Sequence, residues 1–450
     1  MTASRHAPRI SHLGFMKTLL SFLTSFLLAL AAKAEPPDKP NAAPPLTLSA
    51  ATQTALASNR SIKEARARWE SMKTRVPQAA AWDDLKISAS TRLGRFVDIA
   101  PNGFTDQMLS VEQMIPVSGK NQSRARIAAA EALGGLEELR RKETDVVMKV
   151  RTAYIRLANG YAQLELTRAN ASSLHQTLDI SRAKFEVGGQ TQAAVLTAEN
   201  EVTRIEENRR DIERSISDEE TQLKVLMNRD AFVPLGRPAD DLPNQASVST
   251  ERLRSLLLSN RPELRMAQAN IAAAKAKLEL AKREWIPDPM VSVQAQRYNE
   301  AAQAVSEVGA GISFSVPWLN GKKYRAEERE AQTSAEAAQH ALEGAQTEAL
   351  GLLRDQLRKL ETFQHHVALF RDRLIPTARQ TVEANRAGYQ ADKTGFLELV
   401  TAQRSLREVE SVHRQHLTDY QMALAELEAL VGADLHLFSP DKETSKRKTK

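Results

Sequence analysis

The feature of this 450-residue chain that most limits its fold is an internal duplication. A strand-like run that ends in Pro and then Gly-Lys occurs at residues 111–120 and returns at residues 316–322 with one residue inserted. Each copy opens a long helical run. Three further pairs keep a similar spacing: Ser58-Asn59-Arg60 with Ser259-Asn260-Arg261, Trp82 with Trp285, and Leu196-Thr197-Ala198 with Val400-Thr401-Ala402. One repeat of about 200 residues is far longer than a solenoid unit, so the sequence predicts two similar halves.

The N-terminal residues 1–34 are typical of a secretory signal peptide. An apolar stretch too short for a membrane span follows several basic residues and closes on Ala32-Lys33-Ala34. Translation from Met1 and translation from Met16 both fit this interpretation. The Pro-rich residues 35–46 are predicted to form an extended linker. The chain contains no cysteine, which excludes disulfides and a lipid on cysteine, so any anchoring must come from the fold itself.

The rest of the chain divides at a segment rich in helix breakers. Pro234, Pro238, Pro243 and Gly236 end one helical run and favour a crossover before the next. The polar and basic C-terminus ends in Lys450, and its composition favours disorder. The predicted organisation is therefore a first structural repeat over residues 47–228, an inter-repeat connector over 229–250, a second structural repeat over 251–432, and a C-terminal tail over 433–450.

Each half contains two runs in which apolar and polar residues alternate, as in a strand with one apolar face. In the first half they flank Asn102-Gly103, which predicts a hairpin with a long loop. The four runs cover residues 85–93, 109–115, 291–296 and 308–316. Strands of roughly ten residues suit a tilted crossing of a bilayer. Four strands cannot close into a barrel, and open edges are not viable in lipid, so several copies must pool their strands.

The helical runs carry apolar residues at three- and four-residue spacing, which predicts antiparallel coiled-coil packing. One first helix is expected over residues 47–78, interrupted near its end by Pro77. A helix over residues 121–187 would be on the order of 100 Å long at 1.5 Å per residue. Gly188-Gly189 should end this helix and reverse the chain. Such a helix reaches across a distance on the scale of the periplasm.

Motifs for catalysis, metals and nucleic acids are weak. Gly309-Ala310-Gly311 lacks the third glycine of a dinucleotide loop, and Gly321-Lys322 lacks the first glycine of a phosphate loop. His413 and His416, with Glu410, have spacing that could hold a metal, but they lie on the apolar seam of a helix and are interpreted as packed or solvated histidines. Basic residues alternate with acidic ones along every helix, which favours solvated faces over nucleic-acid binding. We predict no enzyme activity, no cofactor and no metal site.

With these features the chain resembles the TolC-like outer-membrane efflux protein family. The resemblance rests on the two halves, on Phe185-Glu186-Val187-Gly188, which is similar to the family's Phe-x-Val-Gly turn, and on the Ile115-Pro116 to Gly119-Lys120 run, which is similar to its heavy-metal branch. It implies a mainly α fold with a small transmembrane β part. Duplicated helix, β-hairpin and long-helix units would form a trimeric α-barrel tunnel and a shared twelve-stranded β-barrel in the outer membrane. The implied partners are a periplasmic adaptor, an inner-membrane pump and outer-membrane lipid.

The resemblance also implies site residues. Val187-Gly188-Gly189 and Ala391-Asp392-Lys393 match the two helical turns that an adaptor engages, although Asp392 stands where the family has Gly. Glu398 matches one position of an acidic channel constriction, whereas Thr401 stands where a second carboxylate is often found. An exposed helix glutamate is the alternative interpretation of Glu398. A simple helix stop is the alternative for the Gly188 turn.

Three functions remain open from the sequence. An efflux duct that conducts substrates from an inner-membrane pump is the first, a type I secretion exit duct is the second, and a soluble periplasmic coiled-coil or adaptor protein is the third. An adaptor would need compact β-rich modules around a single helical hairpin, and a soluble scaffold would not need the alternating strands. The sequence does not identify the substrate, because a duct passes whatever its pump loads.

Overall fold

The computed structural model describes residues 44–91, 107–239, 249–299 and 304–433. The predicted signal peptide, most of the linker, the Asn102-Gly103 loop and the tail beyond Ala433 lie outside these residues. The described part consists mainly of long helices, with strands from both halves of the chain. Most of both predicted repeats therefore lies within the described residues.

The two halves repeat the same order of elements: a short helix, a longer helix, a β-hairpin, a long helix and a returning helix. In the second half a 3₁₀ turn precedes the long helix, and a π turn divides it. The first half comprises α1 (Leu48–Ser58), α2 (Arg60–Ala80), β1 (Lys86–Thr91), β2 (Gln107–Met114), α3 (Lys120–Glu186) and α4 (Gln192–Leu226). The second comprises α5 (Thr250–Asn260), α6 (Pro262–Arg283), β3 (Met290–Asn299), β4 (Ala304–Ser313), the 3₁₀ turn (Pro317–Asn320), α7 (Gly321–Leu369), the π turn (Phe370–Leu374), α8 (Ile375–Gln390) and α9 (Phe396–Val431).

The first helix is broken at Asn59, so the expectation of one helix over residues 47–78 is wrong. The Asn59 side chain accepts a hydrogen bond from the backbone N–H of Ser61 at 2.9 Å and thereby caps α2. Its amide also donates to the carbonyl of Leu226 at 2.9 Å, which joins the break to the end of α4. Pro77 lies inside α2, close to its C-terminal end. The repeated Ser-Asn-Arg motif thus marks the same short-to-long helix break in both halves, since α5 ends at Asn260.

The two predicted hairpins are confirmed, and they pair with each other. The strand order is β1-β2-β3-β4, with every neighbouring pair antiparallel. Cross-strand partners lie on the same face of a sheet. One face is apolar, with the aligned rows Ile87, Val111, Val293, Ala310 and Ala89, Leu109, Ala295, Val308. The other face carries Ser88, Ser110, Gln294, Gly309 and Ser90, Met108, Gln296, Glu307.

The apolar face is uncovered within the described part of the chain. The side chains of Val308, Ile312 and Ile87 are 79%, 72% and 67% exposed. Both outer strands, β1 and β4, also keep one backbone edge without a partner strand among the described residues. A sheet with an exposed apolar face and two open edges is unfavourable in water and requires a cover of some kind.

The helices form one layer that continues the sheet. Next to the strands, α2, α3, α6 and α7 lie side by side in that order, which is the order of the strands that they precede or follow. Further along, α3 packs against α4, α9 packs against α7 and α8, and α3 contacts α9. Short turns join α3 to α4 and α8 to α9, so these packed pairs are antiparallel as predicted, while their coiled-coil packing stays a prediction. At 67 residues, α3 alone is about 100 Å long.

Apolar clusters in both halves hold the layer together. The first-half cluster surrounds Tyr154 and Leu157, both fully buried, and includes residues of α1, α3 and α4. The second-half cluster joins Leu253 and Leu257 of α5 to Leu353 of α7 and Leu424 of α9. Among the described residues no helix combines the length and the apolar character needed to cross a membrane.

Candidate functional site

The first candidate turn joins α3 to α4 at Gly188. Gly188 has a φ of 76°, a conformation that L side chains rarely adopt, and no atom lies within 4 Å of the position that a Cβ would take. The N–H of Gly188 donates to the carbonyl of Phe185 at 3.0 Å, and that of Gly189 donates to the carbonyl of Lys184 at 2.8 Å. Val187 is 81% exposed beside the turn. The turn therefore presents an open backbone and an apolar side chain to its surroundings.

The second candidate turn joins α8 to α9 at Asp392. Asp392 has a φ of 55°, so an aspartate occupies the left-handed conformation that glycine takes in the first turn. Aspartate and asparagine tolerate this region better than other L residues. The N–H of Lys393 closes the turn by donating to the carbonyl of Gly388 at 2.8 Å. Ala391, Asp392 and Lys393 are all exposed.

Lys184 joins the two turns. Its Nζ donates to Oδ1 of Asp392 at 2.5 Å and to the backbone carbonyl of Tyr389 at 2.6 Å, and it lies 4.4 Å from the centre of the Tyr389 ring. The Lys184 side chain is 20% exposed and that of Asp392 is 82% exposed. Asp392, which takes the place that Gly188 has in the first turn, thus supplies the acceptor for a lysine at the end of α3.

Tyr389 forms the buried centre of this contact. It is 3% exposed, and its hydroxyl lies 3.2 Å from Oγ of Ser181. The side-chain amide of Gln190 donates to the same hydroxyl at 3.2 Å. The Tyr389 side chain of α8 is therefore held by Ser181 of α3 and by Gln190 of the turn between α3 and α4.

A second layer of polar contacts lies behind the turns. Glu201 of α4 is 4% exposed and accepts hydrogen bonds from Arg404 and Arg407 of α9, the latter at 2.7 Å. In the same layer the side-chain amide of Gln403 donates to the hydroxyl of Thr177 at 3.0 Å. Because a buried carboxylate is costly without cationic partners, the two arginines are needed where Glu201 is buried.

The protonation of Glu201 depends on these arginines. Burial raises the pKa of the Glu201 carboxyl, but the hydrogen bond from Arg404 and the charges of Arg404, Arg407 and Arg204 outweigh burial. The pKa therefore lies below its ordinary value, and Glu201 is ionised at neutral pH. This group of ion pairs joins the first helical hairpin, α3 and α4, to the second helical hairpin, α8 and α9.

Glu398 serves as a helix cap in this structure. Its Oε2 accepts a hydrogen bond from the backbone N–H of Gly395 at 2.6 Å, at the first turn of α9. The residue is exposed, and it lies close in sequence to the Asp392 turn. A capping role favours the interpretation of an exposed helix glutamate, while its position as a constriction residue stays a prediction.

The histidines singled out in the sequence pack against one another across helices. The ring of His416 lies 4.7 Å from that of His366 and 5.1 Å from that of Phe370, measured between ring centres. Burial lowers the pKa of His413 and His416, and the charges of Arg414 near His413 and of His366 near His416 lower it further. Glu410 accepts from Arg379 at 2.9 Å. Within the described ranges no three His, Cys, Asp or Glu side chains are grouped to hold a metal.

The two turns were predictable from the sequence, but the residues that join them were not. Lys184, Tyr389 and Glu201 lie in helical runs where a polar residue is normally exposed, so their spacing gave no signal. The only indication was the position of Lys184 in the last turn of α3, where a cation is favourable. Its actual partner belongs to a turn 208 residues away in the chain.

A sequence model described as "Outer membrane efflux protein" matches residues 51–229 and 253–433. The two matches fall on the two halves of the fold.

Several characterised proteins are similar at low identity. The chain is 24% identical over 278 residues to the probable efflux pump outer membrane protein SepC of Pseudomonas putida, covering 59% of this chain and 57% of SepC. It therefore spans just over half the length of that relative. The cobalt-zinc-cadmium resistance protein CzcC of Cupriavidus metallidurans is 23% identical over 81% of this chain and 85% of its own. The alkaline protease secretion protein AprF of Pseudomonas aeruginosa is 23% identical over 79% of this chain and 76% of its own.

The fold is similar to that of solved membrane proteins. CusC aligns with a TM-score of 0.73 at 16% identity, over 86% of this chain and 92% of that chain. The outer membrane protein VceC of Vibrio cholerae aligns with a TM-score of 0.70 at 17% identity, over 86% of this chain and 96% of that chain. At such identities the likeness establishes the fold. The match of the sequence model over both halves shows that the chain belongs to the outer membrane efflux protein family.

Proposed function

We propose that this protein is the outer-membrane exit duct of a tripartite efflux system. Three copies form a closed tunnel of helices that crosses the periplasm and a shared barrel of strands in the outer membrane. Substrates enter from an inner-membrane pump through a periplasmic adaptor and leave the cell through the duct. The observation that carries the proposal is the uncovered apolar sheet face at one end of a helix about 100 Å long, with the two exposed turns at the other.

The distribution of polar residues supports membrane insertion of the sheet. The apolar face would contact lipid, while the Ser- and Gln-bearing face would line a water-filled interior, the alternation that transmembrane barrels use. Strands β1 and β4 run antiparallel to each other, since they are separated by two strands in an antiparallel sheet. The β4 edge of one copy can therefore pair with the β1 edge of the next and close the sheet. The same pairing would bring α7 of one copy next to α2 of the next copy, since α2 and α7 are the outer helices of the layer.

The two exposed turns support the docking of an adaptor. Val187, Gly188 and Gly189 form one turn and Ala391, Asp392 and Lys393 form the other, and Lys184 holds them next to each other. The open space around Gly188 would allow the end of a partner's helical hairpin to approach the backbone closely. Glu398 lies at the start of α9 near the second turn, so three copies would place three carboxylates at this end of the tunnel.

A secretion duct is the second candidate function. It is favoured by the similarity to AprF, which is named an alkaline protease secretion protein and aligns over 79% of this chain. A soluble coiled-coil protein is disfavoured by the exposed apolar sheet face, which would promote aggregation in water.

Assembly and transport can be tested together. Extraction of the chain from outer membranes in detergent should give a particle with the mass of a trimer, and a stable monomer would reject the assembly. Cells that lack the protein should accumulate an efflux substrate, and the wild-type gene should restore export. Loss of a secreted protein with unchanged accumulation of small substrates would favour the secretion duct.

A further inference from the structure

The base of the sheet contains a polar clamp between the two halves of the chain. Asp288, two residues before β3, accepts hydrogen bonds from the N–H and the hydroxyl of Ser118 at 2.8 and 2.7 Å. Nζ of Lys120 lies 3.5 Å from the same carboxylate. The side chains of Lys120 and Asp288 are only 12% and 10% exposed. The Ser-Gly-Lys motif that opens α3 therefore binds the aspartate that precedes the neighbouring strand.

This clamp has a direct electrostatic effect. Burial raises the pKa of the Asp288 carboxyl, but the hydrogen bonds from Ser118 and the charge of Lys120 lower it more, so the pKa lies below its usual value. Gly119, between the two binding residues, has a φ of 72° and lies so close to Arg283 that a side chain would collide with the guanidinium. The loop is thus shaped around this contact.

The strand registers show which residues of the first half correspond to which residues of the second half. β1 begins at Lys86 and β3 at Met290, an offset of 204 residues. Lys86 pairs with Glu112 and Met290 pairs with Ser313, so β4 follows β2 by 201 residues, which is also the offset between Pro116 and Pro317. The pairing geometry and the sequence motif therefore give the same alignment of the two halves.

Under this alignment, the counterpart of Asp288 is Asp84, and the counterpart of Ser118-Gly119-Lys120 is Asn320-Gly321-Lys322. Asp84 lies two residues before β1, as Asp288 lies two residues before β3. Within one chain the counterparts are on opposite outer strands of the sheet and cannot meet. Asp84 and Lys322 are both exposed, and in the part of the chain that the structure describes neither has an ion-pair partner.

We propose that Asp84 and the Asn320-Gly321-Lys322 loop form the same clamp between adjacent subunits, with Asp84 of the partner subunit accepting hydrogen bonds from Asn320 and pairing with Lys322. This inference rests on the proposed closure of β4 against β1 of another copy. The β2–β3 register pairs Glu112 with Ser292, and the offsets of 201 and 204 residues transfer this pair to Ser313 opposite Ser88 of the partner subunit. The apolar Ile312 then lies opposite Ala89 of the partner subunit, so both faces of the sheet stay continuous.

The clamp between subunits is simpler than the clamp within the chain. α6 ends at Arg283, which donates to the carbonyl of Ser118 at 2.9 Å, whereas α2 ends at Ala80. The subunit contact therefore lacks this guanidinium and depends more on the pairing of Asp84 with Lys322. Its charges make it specific for the β4 edge of another copy of this chain, because a shifted strand would separate them.

A charge-exchange experiment tests the clamp. Asp84→Lys and Lys322→Asp should each accelerate dissociation of the detergent-solubilised oligomer by about tenfold or more, because each leaves two like charges opposed. The double variant should dissociate at close to the wild-type rate. Asp83→Lys and Lys323→Asp make the same charge reversals at the neighbouring positions and should change the rate by less than about threefold, since neither residue is a counterpart of the clamp. Equal effects at Asp84 and Asp83, or no recovery in the double variant, would overturn the clamp.

Cysteine pairs test the register separately, because the natural chain has no cysteine. Ser88→Cys combined with Ser313→Cys should give covalently linked oligomers on mild oxidation, whereas Ser90→Cys with Ser313→Cys should not. Stronger linking of the second pair would overturn the proposed register and with it the clamp. If the wild-type protein is monomeric in detergent, the proposed assembly itself fails. If it is a trimer that forms the disulfide in Ser88→Cys with Ser313→Cys, but the Asp84 and Lys322 variants dissociate at the wild-type rate, the assembly stands and only the clamp is rejected.

Discussion

Replacing Glu201 by Gln should loosen the contact between the two helical hairpins. The change keeps the size of the side chain but removes the charge that Arg404 and Arg407 share. It also brings a side-chain amide donor toward two guanidinium groups, which have no acceptor to offer. The helices themselves should remain folded, because the substitution leaves the apolar seam unchanged.

The size of the effect follows from exposure. Removing one partner of a fully buried ion pair costs about 3–5 kcal/mol. The Arg404 side chain is 47% exposed and that of Arg407 is 21% exposed, so water can solvate part of the remaining charge. We therefore expect a loss of about 2–3 kcal/mol in local stability. The Lys184–Asp392 pair has a carboxylate that is 82% exposed, and its loss should cost less than about 1 kcal/mol.

Hydrogen exchange of the backbone amides measures this local stability. In Glu201→Gln, amides near residues 198–204 and 401–407 should exchange roughly 30- to 150-fold faster than in the wild type at neutral pH. Glu199, whose side chain is 41% exposed and pairs with Arg182, provides the matched control Glu199→Gln, with a change of less than about fivefold. Since the folded-state pKa of Glu201 is depressed, its stabilisation is complete above the ordinary carboxyl pKa of 4.5 and is lost as pH falls through the lower folded value. Equal exchange in Glu201→Gln and wild type at pH 7 would refute the reasoning.

Gly188→Trp should leave the trimer folded but abolish adaptor crosslinking and efflux, because the indole would fill the open space at the turn; normal crosslinking by an inserted trimer would reject docking there. Ile312→Arg should destabilise membrane insertion by about 2–4 kcal/mol per chain if the site is near the midplane. Ser313→Arg on the opposite face should be milder; thermal dissociation of the detergent-solubilised oligomer measures both losses, and equal losses would contradict the assigned faces. Glu398→Gln should reduce the cation preference of single channels if Glu398 faces the lumen, and an unchanged preference would leave it only as a helix cap. His416 has a lowered pKa in the folded protein, so its stabilisation is present above about pH 6.5 and is lost as pH falls below that value. His416→Phe should therefore melt with less dependence on pH between pH 7.5 and 5.5, and parallel melting curves would oppose this.

The sequence by itself determined the elements and their duplication. Period-two alternation located both hairpins, and three-four spacing located the long helices, because each pattern depends only on which face of an element is apolar. The repeated motifs at residues 111–120 and 316–322 predicted two similar halves. Gly188 marked its turn because glycine commonly ends helices in a left-handed conformation. The break at Asn59 was missed, since the capping hydrogen bond of its side chain outweighs the continuous apolar spacing around it.

Only the tertiary structure decided which distant residues meet. The pairing of β2 with β3 merges two hairpins into one sheet and brings Ser118 to Asp288, 170 residues away. The same layer of helices brings Lys184 to Asp392 and Glu201 to Arg407. These contacts depend on the register between long elements, and a local pattern carries no information about that register because every turn of a helix offers similar charged residues. The register is set jointly by packing and strand pairing over the whole chain, so the polar contacts that join the two halves became visible only in three dimensions.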